Sequence, residues 1–135
     1  MSVFNWKEDY SVSVPSIDAQ HKKLIGYINQ LYDSMKIGNG NKAIAEVLEG
    51  LTLYTVIHFH AEEQLMIQFK YYNYPSHKKQ HEDLIKRVDD FKKQFTQENH
   101  KIIFELAEFL KKWLINHIAV TDKVLGKYLQ AKGVI

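Results

Sequence analysis

The sequence predicts an all-α protein: an up-down-up-down antiparallel four-helix bundle with an extended N-terminal arm. Three observations carry that prediction. Apolar residues recur at three- and four-residue steps through four long stretches. Helix-breaking residues separate the stretches, as at Gly38-Asn39-Gly40 and Pro75. The joins are short, so consecutive helices must lie antiparallel. With 135 residues, a single domain spanning 1–135 can bury a real core.

Residues 1–15 read as the arm. They alternate small and β-branched residues, end at Pro15, and carry Phe4, Trp6 and Tyr10 to pack against the bundle. The first helix is expected over about 18–37, with Ser16 and Asp18 as N-cap candidates and the stripe His21, Leu24, Ile28, Leu31, Met35. The second, over 41–70, carries Ile44, Val47, Leu51, Tyr54, His58, Glu62, Leu65 and Phe69. Pro75 suits a first helical turn and opens the third, over 75–96, with His77, His81, Leu84, Val88, Phe91 and Phe95. The fourth runs over 100–132 and stops at Gly133. Its stripe is Leu106, Leu110, Trp113, His117, Val120, Val124 and Tyr128.

Composition narrows the function. A net charge of +2 is too small to suggest nucleic acid as a partner, and the Lys-Lys pairs are scattered over different helices as solvated faces. The absence of cysteine excludes disulfides, thiolate zinc sites and cysteine-held iron–sulfur clusters. No apolar run approaches the roughly 20 residues of a membrane span, and no signal peptide is evident, so a cytoplasmic protein is expected. No exposed apolar face is evident in the sequence pattern, which favours a monomer.

The chemistry lies in seven side chains: His21, His58, Glu62, His77, His81, His117 and Asp122. All fall within or beside apolar stripes, where an unpartnered polar group costs roughly 1–3 kcal/mol and an unpaired charge more. Repeating that cost seven times makes a bound metal the simplest answer. His58 and Glu62 are four apart, as are His77 and His81, so each pair shares one helix face. His117 and Asp122 are five apart, which an ideal α-helix separates by about 140°. Turning both inward needs a π-type bulge, expected near Val120–Thr121. Imidazole mixed with carboxylate suits iron. His60 lies about 200° from His58 and is expected at the surface with His100, while Glu63 should point away from Glu62. Tyr54 reads as packing.

Four stretches carry a family resemblance: Ile17-Asp18-Ala19-Gln20-His21-Lys22; His58-Phe59-His60-Ala61-Glu62-Glu63; Tyr74-Pro75-Ser76-His77 with His81; and Trp113-Leu114-Ile115-Asn116-His117-Ile118 with Asp122. Together they resemble the hemerythrin family over nearly the whole chain, with all seven ligand positions filled. The resemblance implies two non-haem irons. His77, His81 and His117 would complete one iron, and His21 and His58 would hold the other. Glu62, Asp122 and a solvent-derived oxo or hydroxo group would bridge them. The iron of His21 and His58 would then be one ligand short, and dioxygen would bind there, taking two electrons from the diferrous pair and a proton from the bridge. Leu24, Phe59, Trp113 and Leu114 are the expected oxygen-pocket residues. No acid beyond the ligands is aimed at that space, which favours reversible binding for storage, delivery or sensing over bond cleavage.

A redox enzyme reducing nitric oxide or peroxide could use the same centre, with an electron-donor protein as partner; a carrier would instead serve an oxidase. A ferritin-like oxidase would need paired Glu-x-x-His motifs, which the chain lacks. Sensor versions usually carry a fused signalling domain, for which 1–135 leave no room. Zinc-filled and metal-free bundles are the remaining alternatives.

Overall fold

The computed structural model describes residues 4–37, 40–95 and 101–135. Four rods form the bundle: α1 (Pro15–Ile37), α2 (Gly40–Gln68), α3 (Tyr74–Gln94), and a fourth that begins as α4 (Lys101–Asn116). The fourth rod passes through a π-helical segment at His117–Asp122 and continues as α5 (Lys123–Ala131). α1 packs against α2 and α4, and α3 packs against the same two, closing the ring of an up-down-up-down bundle. The expected positions of His100 and Thr96 fall outside the described residues.

Helix ends follow local chemistry. α1 starts earlier than expected, with Pro15 as its first residue, because a missing N–H costs nothing in the first turn. Asp18 is therefore not an N-cap. Its carboxylate reaches back instead and accepts from the Val12 N–H at 2.9 Å and the Ser11 hydroxyl at 2.6 Å. α2 ends two residues short of Lys70, which turns left-handed at φ 54°. Lys70 N–H donates to Ile67 O, and Tyr71 N–H donates to Met66 O at 2.8 Å, a glycine-type helix stop built on a lysine. The Tyr128 hydroxyl donates to the Phe69 carbonyl at 2.5 Å and so holds this end to α5. Gly133, at φ 83°, closes α5 with the same pair of bonds, to Gln130 and Leu129.

The arm is tied down along its length. Phe4 N–H donates to the Asn29 side-chain oxygen at 2.9 Å, and the Asn29 amide returns a bond to Phe4 O at 2.7 Å. Phe4, Val12 and Val14 are buried. At Gly126 the arm crosses the fourth rod so closely that a Cβ would collide with the Val12 carbonyl oxygen.

Two expectations about faces need correction. Val120 is 66% exposed and Val124 44% exposed, although both were assigned to the inward stripe. The extra residue per turn of the π segment rotates everything after it, and Ile118, Asp122, Leu125 and Leu129 face inward instead. An exposed apolar face also exists after all, on α2, where Leu53, Val56, Ile57 and Ile67 stand in solvent. Among the described residues, no helix is long and apolar enough to cross a membrane.

Candidate metal centre

The seven side chains meet in the middle of the bundle, none more than 4% exposed. α1 contributes His21, α2 contributes His58 and Glu62, α3 contributes His77 and His81, and the fourth rod contributes His117 and Asp122. The π segment spans His117 to Asp122 and includes the expected Val120–Thr121 position. Its wider turn brings two residues five apart onto one face, and Asp122 Oδ1 lies 3.1 Å from His117 Nε2.

The two carboxylates divide the imidazoles into two sets. Glu62 Oε1 and Asp122 Oδ1 face His77, His81 and His117, with His81 3.1 Å from Glu62 and His77 3.0 Å from Asp122. Glu62 Oε2 and Asp122 Oδ2 face His21 and His58, at 3.6 Å from His58 to Glu62 and 3.0 Å from His21 to Asp122. One set offers five donor atoms and the other four, each close enough to close on one cation. Glu62 and Asp122 belong to both.

These atoms lack hydrogen-bond partners. All five Nε2 atoms and all four carboxylate oxygens are buried with none. Nine such atoms at roughly 1–3 kcal/mol each could not persist in a folded protein of ordinary stability, so the donor set fits bound cations. Nitrogen and oxygen donors without sulfur suit iron.

Electrostatics agree with that reading. Burial and Asp122 both push Glu62 up, yet the facing imidazoles His58, His77 and His81 hold it well below the usual carboxylate range. Burial likewise opposes ionisation of Asp122, and His117, His21 and His77 overcome it. Burial lowers His58 to about 4, despite the nearby carboxylates. Burial, the largest single influence, would also lower His21 and His77, but the facing Asp122 and Glu62 carboxylates together outweigh it: His21 is raised, and His77 rises to about 9. The surroundings thus favour ionised carboxylates at Glu62 and Asp122, and cations entering the cage would displace protons from the facing imidazoles.

The outward ring nitrogens identify residues that sequence reasoning missed. His58 Nδ1 lies 2.6 Å from Gln20 Oε1, His81 Nδ1 2.9 Å from Glu63 Oε2, and His117 Nδ1 2.9 Å from Gln80 Oε1. An acceptor there keeps the proton on Nδ1 and leaves the Nε2 lone pair facing inward. Glu63 was expected to point away and instead grips His81 from outside. Thr121 also donates to Gln80 Oε1 at 2.9 Å, so one amide holds both His117 and the π segment. A signal was present: Gln20 and Gln80 each directly precede a cage histidine, although each serves a histidine on another helix. His60 is exposed.

Leu24, Phe59, Trp113 and Leu114 line one cavity of about 20 Å³, with Ile28, Leu51, Leu84, Leu110 and Thr55. Phe59 stacks on His81 at 3.8 Å between centroids, and Trp113 on His117 at 4.3 Å, so the cavity abuts the cage. Thr55 carries its one hydroxyl, which donates to the Leu51 carbonyl at 2.7 Å.

The family model for the hemerythrin HHE cation binding domain matches residues 12–129. A bacteriohemerythrin of Pseudomonas aeruginosa (strain UCBPP-PA14) is 40% identical over 117 residues, covering 87% of this chain and 75% of the relative. One of Methylococcus capsulatus (strain ATCC 33009 / NCIMB 11132 / Bath) is 31% identical, covering 97% of this chain and 100% of the relative. A crystal structure of wild-type hemerythrin superposes with a TM-score of 0.82 at 29% identity, over 95% of this chain and 98% of that one. Cage, fold and family model agree, and this chain belongs to the hemerythrin family.

Proposed function

We propose that this protein holds two non-haem irons, bridged by Glu62, Asp122 and a solvent-derived oxygen, and binds dioxygen reversibly. His77, His81 and His117 would serve one iron, and His21 and His58 the other. The observation that carries the reading is the uneven division of donors, five against four, around two shared carboxylates. With both carboxylates and a solvent oxygen bridging, the His21–His58 side has room for one more ligand. A reduced iron pair supplies the two electrons that dioxygen binding requires.

The chain's own residues favour binding over turnover. The adjoining cavity is apolar, and its single hydroxyl is already committed to a backbone carbonyl. No side chain lining it can deliver a proton to a bound oxygen, and such donors ease O–O cleavage. Excluding water also slows loss of reactive species. The expected role is oxygen storage, delivery or sensing in the cytoplasm.

The test is the visible spectrum of protein reconstituted anaerobically with ferrous salt, together with an iron count. Two irons per chain, with bands that appear in air and vanish on deoxygenation, are expected. Fewer than two irons would remove the paired centre. Repeated turnover of nitric oxide or peroxide with an electron donor, without reversible oxygen uptake, would make the protein an enzyme.

A further inference from the structure

α2 is apolar on both faces, which marks a helix covered on both sides. Its inner face carries Leu48, Leu51, Phe59 and Met66 together with His58 and Glu62. Its outer face exposes Leu53 (56%), Val56 (45%), Ile57 (60%) and Ile67 (53%). α3 shows the ordinary alternative, presenting Lys79, Glu82, Asp83, Lys86, Asp89 and Lys93 to solvent. Leu53, Ile57, His60, Gln64 and Ile67 recur at steps of four and three, the 3.5-residue period of a seam between two helices.

The charges at the two ends select the occupant. Glu46 is exposed at the start of the stripe and Lys70 at its end, while Glu49 is paired with Lys92 of α3 at 3.3 Å. A parallel copy would set carboxylate against carboxylate. An antiparallel copy brings Lys70 within reach of Glu46 and sets Leu53 opposite Ile67, both twice over. The stripe is thus complementary to itself, as a two-fold interface requires.

We propose that the outer face of α2 docks a second copy of this chain, the two helices packing antiparallel about a two-fold axis near His60. This proposal does not depend on the identity of the metal or the ligand. His58 and Glu62 lie on the opposite face of the same helix, so pairing would brace an element that carries part of the cage.

Sedimentation velocity over a concentration series reaching the hundred-micromolar range tests it. The wild-type chain should reach dimer mass, and Ile57→Lys should weaken association by about 30-fold or more with unchanged helicity. Lys70→Glu should weaken it too, and Glu46→Lys added to Lys70→Glu should restore it. Orientation is read with introduced thiols, since the chain has no cysteine. His60→Cys should form a disulfide-linked dimer, whereas two copies of Glu46→Cys would lie about 42 Å apart along the helices and should not. A wild-type chain that stays monomeric throughout, whatever other protein or vesicle it binds, overturns the proposal. So does a dimer indifferent to Ile57→Lys, or ready cross-linking through Glu46→Cys.

Discussion

At the scale of single residues, the cage is decided by side chains that face away from it as much as by those inside. Gln80 accepts from both His117 and Thr121, so removing its carbonyl frees a ring and a turn together. Gln80→Leu should weaken iron retention against a chelator by about 10- to 100-fold, while Gln80→Glu, which keeps an acceptor, should stay close to wild type. Equal retention by all three would show that His117 is held by packing alone, for instance by the Trp113 ring stacked on it. Leu114 lines the apolar cavity and is 5% exposed. Leu114→Asn introduces a polar amide where none is present, and autoxidation in air should accelerate; an unchanged rate would mean that this side chain does not shield the oxygen site. The ligand candidates were legible because seven costly groups in apolar stripes demand a common explanation. Their outer partners were not, because Gln20 and Gln80 sit at the bundle's edge, where a glutamine is unremarkable, and the bonds they make cross between helices.

At the scale of elements, the π segment is the unusual piece. A regular α-helix cannot turn both His117 and Asp122 inward, and Asp122 is, with Glu62, one of the carboxylates shared by both donor sets. The need for a bulge could be read from the five-residue spacing. Its consequence was harder to foresee: the register after it shifts, and Val120 and Val124 move out to solvent. Inserting an alanine after exposed Ala119 should place His117 and Asp122 six apart, rotate Asp122 out of the cage and abolish binding of the second iron, with helical content retained by circular dichroism. An insertion variant that still binds two irons would show that the fourth rod can absorb the extra residue elsewhere. The start of α1 and the end of α2 are set by local backbone chemistry. Their boundaries were set by Pro15 and by a left-handed Lys70, whose conformation propensity alone would not assign to lysine.

At the scale of the whole molecule, stability and site depend on one another. The cage leaves nine buried polar atoms to be satisfied by cations, so removing iron with a chelator should lower the melting temperature by more than the few degrees typical of a surface change. A melting temperature independent of iron would contradict the cage as a metal site. The arm is the second support, tied down at several points and crossing the fourth rod in close contact at Gly126. Gly126→Ala forces a methyl group into the Val12 carbonyl, which should cost about 1–3 kcal/mol and appear as a lower midpoint in urea with an unchanged slope. No loss would mean that the arm lifts without penalty. The sequence by itself determined the four helices, their antiparallel order and the seven inward groups, because hydrophobic period and the cost of buried polarity act locally. Only the tertiary structure decided how two carboxylates sort five imidazoles into sets of three and two, which amides orient them, where the arm touches the fourth rod, and which face of α2 is left bare. Each of those depends on distances between chain segments far apart in sequence, which no local pattern encodes.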